Sequence, residues 1–178
     1  LAITAGQLAN DNGALEADDI RVELSGNLSN NQGTVFATDK LNIDAATVDN
    51  SLGTLASNNV VKLDVTKALT NQEGLIQADA VNVSAEEIDN TSGTLQANAL
   101  KLNSLQDLNN SDGAISGQTV DLRADTLENT NGVILATATA GDALQLNDIG
   151  LLSNNGGTIA SAGNLLLNAG QVNNGGRI

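Results

Sequence analysis

The stretch Gly74-Leu-Ile76-Gln-Ala78-Asp-Ala-Val81-Asn-Val83-Ser-Ala85-Glu-Glu-Ile88-Asp-Asn90-Thr-Ser-Gly93 decides the fold. It holds three short runs in which apolar and polar residues alternate, followed by Asn, two residues and Gly. Alternation with a period of two marks strands with one buried face. No segment holds the i, i+3, i+4, i+7 spacing of an amphipathic helix beyond a turn or two. The same pattern recurs along the whole chain. Its closing signature, apolar-x-Asn-x-x-Gly, places Asn at 10, 30, 50, 71, 90, 110, 129 and 154 and Gly at 13, 33, 53, 74, 93, 113, 132 and 157. A last copy, Val172-Asn173-Asn174-Gly175-Gly176, is one residue short. Self-similarity at about 20 residues is the mark of a solenoid, in which each repeat contacts only its neighbours.

Three short strands per repeat, joined by polar turns, give a coil of roughly triangular section whose equivalent strands stack in parallel. The expected fold is all-β: a right-handed parallel β-helix of about eight turns, right-handed because parallel crossovers nearly always are. At about 4.8 Å per turn the rod is about 40 Å long. Composition agrees. Pro, Cys, His, Met, Trp and Tyr are absent and Phe36 is the only aromatic, so the interior is narrow and filled by Ala, Val, Ile and Leu. The first residues match the second half of a repeat, and Arg177-Ile178 match the opening of another. Residues 1–178 therefore read as one β-helical segment of a longer array, with no visible caps.

The repeated Asn and Gly are expected to be structural. Asn10, Asn30, Asn50, Asn71, Asn90, Asn110, Asn129 and Asn154 share the inward phase of the apolar residue two before each. Stacked amides can donate to one neighbouring turn and accept from the other, as in amide ladders, and they satisfy backbone groups at a bend. Gly13, Gly33, Gly53, Gly74, Gly93, Gly113, Gly132 and Gly157 are expected either to adopt a positive φ or to let the adjacent turn approach closely.

The line from Gly74 to Gly93 matches, at every position, the repeat G-x-[IL]-x-A-x-x-[LV]-x-[LV]-x-A-x-x-[LI]-x-N-x-x-G. This resembles the repeats of filamentous haemagglutinin and related two-partner-secretion exoproteins, a group that includes adhesins and contact-dependent growth-inhibition toxins. The resemblance covers the whole chain. It implies a secreted or cell-surface protein of a Gram-negative bacterium, exported through an outer-membrane two-partner-secretion transporter. It also implies a shaft that carries a distal binding or toxin region toward a host or target-cell receptor. It transfers no catalytic residue.

Chemistry-bearing patterns are sparse. Without His or Cys the usual nucleophile–base pairs and most zinc sites are ruled out. No phosphate-cradling glycine loop is present. The net charge of −14 argues against nucleic acid and against adsorption to anionic lipid, and no stretch is long enough for a transmembrane helix. Some β-helices cleave polysaccharides. Glu23, Asp44 and Asp64 fall at one phase on three successive turns, about 5 Å apart, a separation at which paired carboxylates perform retaining glycosidase chemistry. No aromatic platform for a sugar accompanies them, and Arg21 and Lys62 account for the file as ion-pair partners. Weak cation binding by the file is a further alternative. The expectation is a non-enzymatic chain without cofactor or metal. The rivals are a binding module whose flank contacts a receptor or glycan, and a polysaccharide-cleaving enzyme. One repeat is irregular, with about five surplus residues at 137–143, expected to bulge from the rod as a small loop.

Overall fold

In the computed structural model, which describes residues 1–178, every regular element is a strand and every pairing between strands is parallel. Each turn begins at the repeat glycine, so turn 1 starts at Gly13, turn 5 at Gly93 and turn 8 at Gly157. The first and second alternating runs merge into one strand in most turns, as in Thr94–Ser104, and the third is a strand of three residues, as in Asp107–Asn109. The expected three strands per turn are thus two hydrogen-bonded strands in most turns, because the first corner bends without breaking the ladder. Turn 3 keeps the runs apart, as Thr54–Ser57 and Val60–Val65. Nine stacked asparagines, from Asn10 to Asn174, make about nine turns rather than eight.

Three flanks surround one core. Leu55, Ile76, Leu95 and Ile115 point inward from the first flank, Val61, Leu63, Val81 and Val83 from the second, and Leu69, Ile88 and Leu108 from the third, all nearly free of solvent. These belong to a single cluster of 39 buried apolar residues that runs the length of the rod. Alternation decides the sides: each inward residue stacks on its counterpart one turn away, so a column of aliphatic side chains replaces the globular core that large aromatics would fill.

Corner length absorbs the variation in repeat length. Between Ala78 and Val81 two residues make the first corner; between Ser57 and Val61 three do. The wider corner is closed by Ser57, whose hydroxyl donates to the Asp39 carbonyl at 2.7 Å and accepts from the Asn59 and Val60 amides at 3.1 Å. The surplus after Ala136 leaves the rod as expected. Thr139–Asp142 are exposed, while Ala143 is fully buried and restarts the second flank. The excursion stays tied to both neighbours: the Thr137 amide donates to the Gly117 carbonyl at 2.9 Å, and the Asn164 amide to the Gly141 carbonyl at 2.9 Å. A smaller irregularity sits at Asp148, where φ is 53° and the register shifts between Leu146 and Ile149. The chain gains a residue there, and Asp148 pairs with Arg123 one turn below at 3.0 Å.

Candidate functional site

The repeated asparagines form a continuous column of hydrogen bonds inside the third corner. Each Nδ2 donates to the Oδ1 of the next turn's Asn: Asn10 to Asn30, Asn30 to Asn50, Asn50 to Asn71 and Asn110 to Asn129 at 2.7 Å, and Asn71 to Asn90, Asn90 to Asn110 and Asn129 to Asn154 at 2.8 Å. From Asn10 to Asn129 the second Nδ2 hydrogen reaches the carbonyl of the glycine three residues on, as from Asn90 to Gly93 at 3.1 Å, while Asn154 donates to the Arg177 carbonyl at 3.0 Å. Asn30 through Asn154 are fully buried and Asn10 nearly so, and no buried side-chain polar atom in the molecule lacks a partner. The column has a ninth member, since Asn154 donates to Asn174 Oδ1 at 2.8 Å. Asn174 escapes the apolar-x-Asn-x-x-Gly pattern because its repeat is one residue short. Its spacing two residues after Val172 is the signal that places it.

The glycines serve close approach, and the positive φ lies one residue earlier. Asn12, Gln32, Leu52, Glu73, Ser92, Asp112 and Asn131 have φ of 53° to 58°, and Gly156 has φ of 67°. None of the eight repeat glycines is in that region. A Cβ on Gly93 would sit 2.0 Å from the Asn71 carbonyl oxygen and 2.7 Å from Asn90 Oδ1; at Gly53 the corresponding contacts are 2.2 Å and 2.7 Å. The backbone of one turn therefore rests on the glycine of the next, and the left-handed step before it turns the chain into the corner.

The carboxylate file has the expected register: Glu23 lies beside Asp44, and Asp44 beside Asp64. Arg21 is ion-paired with Glu23 and Lys62 with Asp64. Both cations are held above their ordinary pKa, first by the side-chain hydrogen bond to the paired carboxylate, then by its charge, with Asp44 adding to both. The outer two carboxylates thus face cations across their own strands rather than one another. The file continues as Ser84, Asn103 and Arg123. Beside it is a shallow depression of about 330 Å³ lined by Asp64, Asn82, Ser84, Lys101, Asn103 and Arg123, with Val83 as its only apolar contact. A second depression of about 480 Å³ lies over Leu24, Asp44, Ala45 and Val65. Ligand pockets are mostly apolar enclosures with a few convergent polar groups; these are open hollows between stacked side chains, the first polar and the second of mixed lining.

A second polar file, made of separate pairs, lines the first corner. At the first corner Thr38 donates to Asp18 at 2.7 Å, Asn59 to Asp39 at 2.7 Å, Asn98 to Asp79, and Gln118 to Asn98 Oδ1 at 3.3 Å. The bond from Asn59, followed by the charge of Lys40, holds Asp39 below the usual carboxylate range. The two members of each bonded pair stand at one offset from their repeat Gly, five residues on for Asp18, Thr38, Asp79, Asn98 and Gln118 and six for Asp39 and Asn59, but the residue type at that offset changes from turn to turn, so no recurring residue marks it.

The model of the haemagglutinin repeat matches residues 3–112, 78–148 and 135–178, and so runs the length of the chain. Neither the curated proteins nor the solved structures gave a match.

Proposed function

The chain belongs to the haemagglutinin repeat family, and on that footing we propose that it is a length of the β-helical shaft of a large bacterial surface protein. Haemagglutinin repeats are structural units of secreted, extracellular bacterial proteins. In this reading the shaft holds a distal adhesive or toxin-delivery region away from the cell, and the parent protein leaves through an outer-membrane two-partner-secretion transporter. The carrying observation is the asparagine column, unbroken from Asn10 to Asn174. It ties every turn to the next through buried amides, and such a connection gives a rod its stiffness and register. The carboxylates of Glu23 and Asp64 are engaged by Arg21 and Lys62, so the charge file acts as surface pairing rather than as a catalytic or cation-binding centre.

Excision of whole turns tests this. Removing residues 74–112 joins Glu73 to Gly113 in the same phase of the repeat. The rod then shortens by about 10 Å, measurable by small-angle scattering. Bacteria displaying the shortened parent keep their attachment or delivery activity. Loss of attachment with display and folding intact would place the activity in this segment and overturn the shaft reading.

A further inference from the structure

The three flanks of the rod are sorted by charge. Along the second flank, Arg21, Glu23, Asp44, Lys62, Asp64, Lys101, Asp121 and Arg123 point outward, and along the third, Asp49, Glu87, Asp89, Asp107 and Glu128. The first flank is different. Its outward residues form two columns in register. One is Ala14, Thr34, Thr54, Leu75, Thr94, Ala114, Val133 and Thr158. The other is Glu16, Phe36, Ala56, Gln77, Gln96, Ser116, Leu135 and Ala160. Glu16 is the only charged residue in either column, in a chain of net charge −14. The next position of the first column, beyond Thr158, is Arg177, paired to it by a single bridge. Over the nine turns the flank thus carries one anion, in turn 1, and one cation, in turn 9.

We propose that this flank is an interface with a second copy of the chain, and that the two rods pack antiparallel about a two-fold axis that crosses turn 5. Side-chain size and charge fix the arrangement. A two-fold axis along the strand of turn 5 lays turn 4 of one copy on turn 6 of the other. Leu75 and Gln77 then meet the smaller Ala114 and Ser116. Turn 3 meets turn 7, and Thr54 and Ala56 receive Val133, which is 40% exposed, and Leu135. Turn 2 meets turn 8, so Phe36, the single aromatic, lies over Thr158 and Ala160. Turn 1 meets the start of turn 9, and Arg177 of the other copy lies over Ala14, a diagonal neighbour of Glu16 within reach of its long side chain. Large side chains oppose small ones at Leu75–Ala114, Gln77–Ser116, Ala56–Leu135 and Phe36–Ala160, side chains of like size meet at Thr34–Thr158 and Thr54–Val133, and the two charges of the flank are brought near each other with opposite sign. A parallel arrangement fails both conditions. With its axis along the rod it sets each turn on the same turn with the two columns exchanged, so Phe36 falls on Thr34 and Leu135 on Val133, and it leaves Glu16 and Arg177 eight turns apart and unpaired.

The area sets the strength. Four residues of strand are about 13 Å wide and eight steps between turns about 38 Å long. The flank therefore offers roughly 500 Å² per copy, or about 1,000 Å² in all, the lower bound of specific interfaces. The association is weak in an isolated chain and grows with the number of turns. Elsewhere on the rod, self-repulsion opposes contact.

Three measurements test the inference. Sedimentation equilibrium of the chain to about 1 mM shows reversible dimer, and Ala56→Glu, which buries an unpaired charge against Leu135 of the other copy, weakens it more than about tenfold. Glu16→Arg and Arg177→Glu each weaken the dimer, and the double exchange restores it, an outcome that only the antiparallel register gives. The chain has no Cys, so a single Gln96→Cys beside the axis is joined to its own copy by a short bismaleimide, whereas Asn82→Cys on the second flank is not. Circular dichroism melts superimposable on wild type show that each variant folds. A chain monomeric throughout, a dimer indifferent to Ala56→Glu, or a double exchange that weakens further would overturn the proposal. A glycan or another protein that bound this flank of a monomeric chain would replace it.

Discussion

Replacing Asn90 with Ala removes one rung from the asparagine column, and its cost follows from the bonds it leaves behind. Asn90 Oδ1 accepts from Asn71 Nδ2 at 2.8 Å. Asn90 Nδ2 donates to Asn110 Oδ1 at 2.8 Å, to the Gly93 carbonyl at 3.1 Å and to the Ala114 carbonyl at 3.4 Å. The Gly93 carbonyl keeps the Ala114 amide as a donor. Asn110 Oδ1 and one hydrogen of Asn71 Nδ2 lose their partners in a site free of solvent. Each orphaned buried group costs roughly 1–3 kcal/mol, so the variant is destabilised by about 3 kcal/mol once neighbouring side chains relax. For a chain of this length that lowers the thermal midpoint by roughly 6–12 °C. Asn82 faces solvent on the second flank, and Asn82→Ala shifts stability by no more than about 0.5 kcal/mol. A third variant isolates the donor. In Asn90→Asp a carboxylate oxygen replaces Nδ2 and faces three oxygen acceptors, so the folded state raises the pKa of the new acid above its unfolded value. The deficit relative to wild type is therefore smallest below about pH 4 and grows as pH rises through that range. Melts of all three variants against wild type from pH 3 to 8, followed by circular dichroism and calorimetry, decide the matter. Equal losses in Asn90→Ala and Asn82→Ala would refute the assignment of inward and outward phases. An Asn90→Asp deficit independent of pH would refute the assigned donor direction.

Gly93→Ala places a Cβ 2.0 Å from the Asn71 carbonyl oxygen, and the turns must separate, so it is destabilised by more than about 3 kcal/mol; a melt within a degree or two of wild type would show that the corner has slack. Leu52 sits in the left-handed region with φ of 58° and is 52% exposed, so Leu52→Asn, which keeps the turn with a residue suited to it, raises stability by a few tenths of a kcal/mol to about 1 kcal/mol in urea titrations. Asn59→Ala takes away the hydrogen bond that most lowers the Asp39 pKa, and carboxyl NMR titration reads a rise toward the ordinary value; the stability that Asp39 contributes is present above its unfolded pKa and is lost as pH falls through the folded one, a window the variant moves upward. Joint replacement of Asp44 and Asp64 by Asn leaves any adhesive activity of the parent unchanged, and polysaccharide cleavage that vanished in that variant would contradict the shaft. Amide exchange is slow in the central turns and fast in residues 1–12 and 158–178, whose apolar side chains, such as Leu1, Leu166 and Val172, are exposed.

Much of the fold is written in the order of residues. Val81-Asn-Val83 and its counterparts fix which side chains face inward, because a strand has a period of two, and the recurrence of Asn and Gly fixes the length of a turn. Those two periods together leave a parallel β-solenoid as the arrangement that buries every apolar column. The sequence also places Asn90 inside and Arg21, Lys62 and the acidic file outside. It leaves open which of two duties the glycine performs, since both a positive φ and a close contact select against a side chain. Only the stacked turns show the Asn71 carbonyl over Gly93 and the left-handed φ at Ser92. The corner file from Asp18 and Thr38 to Gln118 stays hidden because its positions, five or six residues after the repeat Gly, hold Asp, Thr, Asn or Gln in different turns, with no recurring residue to mark them. Glu16 and Arg177 stand at opposite ends of the chain and bear no relation in sequence. The register of nine turns puts them on one flank with no other charge, because a solenoid converts distance along the chain into height along the rod, and neighbours across a face are chosen by turn number rather than by sequence separation.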